Sequence, residues 1–268
     1  MTSIEKEDSA SLVYLMYHEL ETHKQAVSNR DPGYLRYVIS ANTFAEQMLW
    51  LKSIGWRGMS VSEGLQFPHT KGVVITFDDG SQTDLLTAAP LLRDAGFSAT
   101  FYVIVGLLGR PGYLAPEQVR ELHCSGFEIG CHSMTHAHLN DLSGERLDKE
   151  ITGAKIVLEE ILGDRVEHFS CPGGRWTPRI AKVAKEAGFE SVATSSIQAN
   201  SRRTDPLHLG RVAVTHNITL KKFQTICDAR GLWPLQLRDL IYGGFKVVLG
   251  NSTYDHVRSF LLRPRIHY

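Results

Sequence analysis

Val73-Val74-Ile75-Thr76-Phe77-Asp78-Asp79-Gly80 runs an apolar segment straight into two adjacent carboxylates and a glycine. A run of Val, Val, Ile and Phe without polar alternation suits a strand covered on both faces, as in a parallel sheet. Gly80 lets the backbone turn sharply at its end. Two neighbouring ionised acids repel each other, and at the end of a buried strand they are partly desolvated, so a positive partner is expected beside them. A metal ion meets that need, although the same three residues also suit a solvated turn.

A second stretch has the same form. Phe127-Glu128-Ile129-Gly130-Cys131 reads as a strand and ends in His132-Ser133-Met134-Thr135-His136-Ala137-His138. Two imidazoles three residues apart can face one ligand, and imidazole is a favoured ligand of zinc-type metals. Alone, such a spacing more often marks a solvated face. Together the two stretches put acids and imidazoles at strand ends, which in an α/β barrel share the C-terminal rim.

The 268 residues suit one large α/β domain spanning 1–268. Lys plus Arg and Asp plus Glu both number 29, so the chain lacks the basic footprint of a nucleic-acid partner. Met1 to Asp8 has neither the basic start nor the apolar core of a signal peptide, and the apolar run from Phe101 to Leu108 is too short to span a membrane. A soluble, cytoplasmic chain is the expectation. Cys124, Cys131, Cys171 and Cys227 form no C-x-x-C pair and are expected to be reduced thiols, with Cys131 and Cys171 as small buried hydrophobes beside the proposed site.

Gly55, Gly96, Gly126 and Gly188 each follow an amphipathic segment and precede an aromatic residue, as glycine does just past a helix end. Their recurrence favours a repeated βα architecture. Strands are expected near 12–17, 73–78, 98–104, 127–132, 167–171, 190–194 and 211–215. Helices are expected near 43–54, 84–95, 116–125, 145–162, 177–187 and 219–229. Thr43 with Glu46 reads as a capping box, and Thr177-Pro178 as a cap followed by proline at the first helical position. Residues 20–42 and 195–209 read as long functional loops. From about 235 to 268 the pattern becomes a helical tail whose charges beyond Asp255 are only basic. Such an end suits an anionic membrane surface and equally a helix packed on the barrel.

Thr76-Phe77-Asp78-Asp79-Gly80, then His132-Ser133-x-x-His136, then Ser170-Cys171-Pro172-Gly173-Gly174, resembles the polysaccharide deacetylases of the NodB homology type, family 4 of the carbohydrate esterases. The resemblance implies a distorted (β/α)7 barrel and metal-dependent removal of acetyl groups from N-acetylated sugars. It makes Asp79, His132 and His136 the ligands of a zinc ion or of cobalt, nickel or manganese, and Asp78 the general base. It also makes the Gly173 N–H an oxyanion donor, with Pro172 and Gly174 beside it at the substrate. His138 is expected not to ligate.

The chain also departs from that pattern. The third motif ordinarily begins with an arginine that holds the catalytic aspartate, and here Ser170 stands there. Arg211, just before the last strand, is the preferred substitute, with Arg175 second. The usual aspartate–tryptophan pair near 190–205 and a late Leu-x-His are missing. Leu15-Met16-Tyr17-His18-Glu19 instead resembles the Tyr-His element of the exopolysaccharide and poly-N-acetylglucosamine deacetylases. His18 is therefore the expected general acid, and His216, after Val212-Ala213-Val214, competes with it.

The expected substrate is an N-acetylhexosamine in a polysaccharide or its lipid-linked precursor. Hydrolysis of another amide or an acetyl ester is the alternative within enzymes, and a non-catalytic glycan-binding barrel is the alternative outside them.

Overall fold

The computed structural model describes residues 11–23 and 25–237, so the tail read at 235–268 lies outside the described residues from position 238 onward. From the amino end the chain forms β1 (Val13–Tyr17), β2 (Leu20–Glu21), α1 (Pro32–Leu35), β3 (Ile39–Ser40), α2 (Ala41–Ser53), β4 (Arg57–Met59), α3 (Val61–Gln66) and β5 (Gly72–Phe77). There follow α4 (Ala89–Ala95), β6 (Thr100–Val103), α5 (Pro116–Cys124), β7 (Glu128–Cys131), α6 (Gly144–Asp148) and α7 (Ala154–Leu162). The last elements are β8 (His168–Ser170), α8 (Pro178–Glu186), β9 (Ser191–Ala193), β10 (Val212–Ala213) and α9 (Leu220–Cys227).

The main sheet is parallel throughout and runs in the order β10-β1-β5-β6-β7-β8-β9, which are the seven strands expected from the sequence. Leu209 bridges to Ala193 at the end of β9, and Val212 three residues later pairs with Leu15 of β1. That segment ties the two ends of the order together and curls the sheet into a barrel.

The curl gives β5 two apolar environments. Val73, Ile75 and Phe77 pack outward with the helices, whereas Val74 packs inward with Leu12, Tyr14, Met59, Val61, Tyr102, Ala193 and Leu209. This double coverage is why the strand carries no polar alternation. Each such fully buried side chain contributes about 1.5–3 kcal/mol relative to exposure.

Register brings the strand ends level. Tyr17 lies opposite Phe77, and Val103 opposite Cys131, so His18, Asp78 and His132 emerge on one rim. The opposite end of the barrel is closed by a polar network. Glu128 accepts the N–H groups of Val61 (3.1 Å) and Ser62 (3.2 Å), and His168 joins Ser62 Oγ (2.7 Å) to Ser191 Oγ (2.9 Å). Burial opposes ionisation of Glu128, but His168 and the surrounding hydroxyls outweigh it and hold the carboxyl down at about 2. With its polar groups joined to one another, this network serves the barrel's structure.

Several local expectations need correction. The cap of α2 is Ser40, whose hydroxyl accepts from the Thr43 N–H at 3.0 Å, so the helix starts before the Thr43–Glu46 pair read as its capping box. Thr177 does cap α8, accepting from Ile180 N–H. Residues 20–42 contain β2, α1 and β3 rather than only loop. The β4–α3 unit, absent from the sequence reading, pairs with β5 through Arg57–Gly72 and Met59–Val74. The helices expected at 84–95 and 145–162 are interrupted by π turns at Asp84–Ala88 and Lys149–Gly153. Gly55, Gly96, Gly126 and Gly188 all take the left-handed conformation, as their recurrence requires.

Candidate active site

The end of β5 delivers Asp78 and Asp79, and the end of β7 delivers His132 and the loop to His136. Of the four non-glycine residues with positive φ among those described, three are here: Asp79 at 81°, Ser133 at 67° and His136 at 63°. Such conformations cost about 1–3 kcal/mol each and are held where the surroundings demand them. Asp79 Oδ1 lies 3.5 Å from His132 Nε2 and 3.7 Å from His136 Nε2. One ligand atom from each of the three residues falls within 4.8 Å of the others. His132 Nδ1 lies 2.9 Å from the Ser170 carbonyl, which as acceptor fixes the proton on Nδ1 and leaves Nε2 with a lone pair.

The electrostatics of the set call for a cation. Burial pushes Asp79 up to about 6, with relief from His18 opposed by Asp78 and Glu19. Its Oδ1 is buried with no hydrogen-bond partner among the described residues. Burial pushes the His132 imidazole down to about 3, so it is neutral and available as a ligand. An orphaned carboxylate oxygen facing two neutral imidazoles fits a divalent metal. His138 lies outside this cluster and is exposed.

Asp78 is held differently. Arg211 Nη1 donates to Asp78 Oδ1 at 2.7 Å and Nη2 donates to Oδ2 at 2.8 Å, a bidentate pair buried on both sides. The remaining guanidinium N–H groups go to Thr194 O (3.0 Å), Thr76 Oγ1 (3.0 Å) and Ser170 Oγ (2.8 Å). The guanidinium carbon also sits 5.4 Å from the Tyr102 ring centroid. Burial works against charge on Asp78, but Arg211 and then His132 outweigh it and hold the carboxyl well below the usual range.

Ser170, the departure from the family's third motif, is thus a partner of both members of the pair. Its hydroxyl accepts from Arg211 and donates to Asp78 Oδ2 at 3.2 Å. Arg175 is half-buried on the loop after β8, where its charge bears on His136, and Arg211 is the arginine on Asp78.

His18 follows β1 on the same rim, with its ring stacked 4.7 Å from Tyr37 and edge-on to Tyr34 at 6.4 Å. The segment carrying those tyrosines is pinned by Glu19. This carboxylate is 1% exposed and accepts from Ser28 N–H (2.9 Å), Ser28 Oγ (2.6 Å) and Tyr34 Oη (3.0 Å). Sequence reading missed Glu19, Tyr34, Tyr37 and Thr76 as site residues. The only available signal was a threonine inside an otherwise apolar strand.

His216 is exposed in the turn after β10, with its N–H on the Arg36 carbonyl at 3.1 Å. Among the described residues no hydrogen bond or ion pair joins its imidazole to the acids or to His132. Gly173 is exposed at φ 60°, beside buried Pro172. Gly174 approaches Ser195 so closely that a Cβ would lie 2.7 Å from the Ser195 nitrogen. Cys131 and Cys171 are buried free thiols pushed up to about 12 by burial, as packing residues are.

A neutral imidazole pair and a carboxylate converging on one point, beside a second carboxylate kept ionised, define a hydrolase centre of the metal-ion type on the rim of a parallel barrel. Residues 67–192 match the model of the polysaccharide deacetylase family. That segment, just under half of the chain, is a polysaccharide deacetylase domain of the NodB type.

The YxkH protein of Bacillus subtilis (strain 168) is 27% identical over 226 residues, covering 82% of this chain and 77% of that protein. The poly-β-1,6-N-acetyl-D-glucosamine N-deacetylase of Staphylococcus aureus (strain MRSA252) is 28% identical over 199 residues, covering 67% and 68%. The solved structure of IcaB from Ammonifex degensii superimposes with a TM-score of 0.68 at 26% identity, covering 84% of this chain and 98% of that one.

Proposed function

We propose that this chain is a metal-dependent N-deacetylase that hydrolyses the N-acetyl group of an N-acetylhexosamine in a polysaccharide or its precursor. The observation that carries this reading is the division of labour between adjacent acids. Asp79 faces two imidazoles and Asp78 faces an arginine. A β-linked N-acetylglucosamine polymer is the substrate assigned first, in keeping with the name of the staphylococcal relative and with the Tyr17-His18 pair.

A divalent first-row ion, zinc foremost, held by Asp79, His132 and His136 would polarise the amide carbonyl and acidify a water molecule. Asp78, ionised and fixed by Arg211, takes a proton from the attacking water. The Gly173 N–H donates to the oxygen on which negative charge develops as the amide carbon becomes tetrahedral. His18 supplies a proton to the nitrogen as the C–N bond breaks, releasing acetate and the free amino sugar.

Purified protein is expected to hold about one divalent metal per chain and to release acetate from N-acetylglucosamine oligomers. Chelation should abolish that activity, and zinc, cobalt or nickel should restore it. Metal-loaded protein that cleaves acetyl esters but no N-acetylated oligosaccharide overturns the substrate assignment. His18 is tested by comparing leaving groups. His18→Ala should slow amide hydrolysis far more than hydrolysis of activated esters, which need little protonation on departure. Equal losses on both would make His18 a positioning residue, and a dead His216→Ala beside an intact His18→Ala would transfer the role.

A further inference from the structure

The loop from Ser133 to His136 passes through two left-handed residues, and its own sequence supplies one restraint, the His136 N–H donating to Ser133 Oγ at 3.0 Å. A stronger restraint comes from Glu150 on the π turn Lys149–Gly153. Its Oε2 accepts the Thr135 N–H at 2.8 Å, and its Oε1 accepts the Thr135 hydroxyl at 2.6 Å. The Glu150 carbonyl accepts the Met134 N–H at 3.0 Å. Three bonds thus reach the two residues before His136 from one side chain and its backbone.

Glu150 is an odd residue for its place. It shares the buried side of its helical segment with Leu147, Ile151, Ala154 and Leu158, and is 8% exposed. No ion pair to it occurs among the described residues. Burying a carboxylate costs free energy unless hydrogen bonds compensate, and those made by its carboxylate all go to Thr135. A π turn inside a helix is a recurrent device at functional sites.

We infer that Glu150 is a positioning residue of the metal centre: by clamping Thr135 it holds His136 in its left-handed conformation, so that His136 Nε2 meets Asp79 Oδ1. The inference rests on the assignment of His136 as a ligand. The clamp acts on how tightly the ion is held, because Glu150 touches neither Asp78 nor the path of the proton.

The test is zinc affinity of metal-free protein, measured by competition with a chromophoric chelator, with folding checked by circular dichroism. Glu150→Ala should bind zinc ~10–100-fold more weakly than the parent, the usual loss when a ligand's outer partner is removed. Glu150→Gln should fall between, since its amide oxygen still accepts the Thr135 N–H while its NH2 can only donate to the Thr135 hydroxyl, replacing a bond to a charged carboxylate by a weaker neutral one. At saturating zinc, kcat should recover to within about two-fold of the parent in both, a rescue that general disruption of the fold would not give.

Thr135→Ala, a milder change at an exposed residue, should weaken zinc in the same direction. Its loss should not add to that of Glu150→Ala, because the two remove one interaction. Unchanged zinc affinity in Thr135→Ala and in either folded Glu150 variant overturns the inference while leaving the deacetylase reading intact. A parent protein that binds no zinc instead overturns the ligand assignment itself.

Discussion

Asp78→Asn is expected to retain its metal and lose at least ~10²-fold in kcat, the lower end of what general acid–base catalysis contributes, whereas Asp79→Asn should lose the metal. The reason lies in what each acid faces. Asp79 Oδ1 has the two imidazoles as its polar neighbours at 3.5 and 3.7 Å, while both Asp78 oxygens are taken by Arg211 at 2.7 and 2.8 Å. Asparagine preserves the shape of Asp78 but removes the proton acceptor and turns amide hydrogens toward a guanidinium that is itself all donors. It also leaves Arg211 as a buried charge without its counter-ion, which costs about 3–5 kcal/mol. Metal content and turnover must therefore be measured well below the melting temperature of the variant. Equal loss of metal from the two variants would show that the adjacent acids do not divide the work.

Arg211→Lys is expected to be impaired almost as badly as Arg211→Ala, with kcat down by roughly 10²-fold in both, because misplacement of a reacting group by about 1 Å has that effect. All five guanidinium N–H groups have acceptors: two on Asp78 and one each on Thr76, Ser170 and Thr194. A lysine ammonium offers three donors from one point and cannot form the fork.

Stability should follow with a definite pH dependence. Because Arg211 and His132 hold Asp78 below the usual carboxylate range, the pair's contribution is complete above that range and is lost as pH falls toward the folded-state value. Urea unfolding should therefore show the Arg211→Ala deficit in full at neutral pH and a smaller deficit in acid. A fully active Arg211→Lys enzyme would remove Arg211 from the orientation of Asp78.

Much of this arrangement is legible in the residues. The unalternated run into Asp78-Asp79 reports a strand covered twice, and both coverings exist. Arg211 could be picked out because it precedes a strand after a polar stretch. What could not be read depends on neighbours distant in sequence. β4 is three residues, Arg57-Gly58-Met59, without an apolar run, and is a strand only because β5 offers it a free edge. Glu128 and His168 stand at the starts of strands, where charged residues read as loop ends, and the burial of His168 and partial burial of Glu128 follow from closure of the barrel. A π turn differs from an α turn by one hydrogen-bond register, which side-chain periodicity does not encode. The start of α2 lies at Ser40 because β3 runs directly into it, a junction that a local match to a capping box cannot see.

Asp79, His132 and His136 occupy one continuous stretch of chain, whereas Arg211 lies 133 residues beyond Asp78. During synthesis from the amino terminus, the side chains that would hold the ion all exist before the strand that orients the base has been made. On the proposed function, holding an ion and cleaving an amide thus become possible at different times. Until β10 docks between β1 and the end of β9, Asp78 lacks its arginine partner, so on the proposed roles a nascent chain would have made all its ion ligands before its base could be oriented.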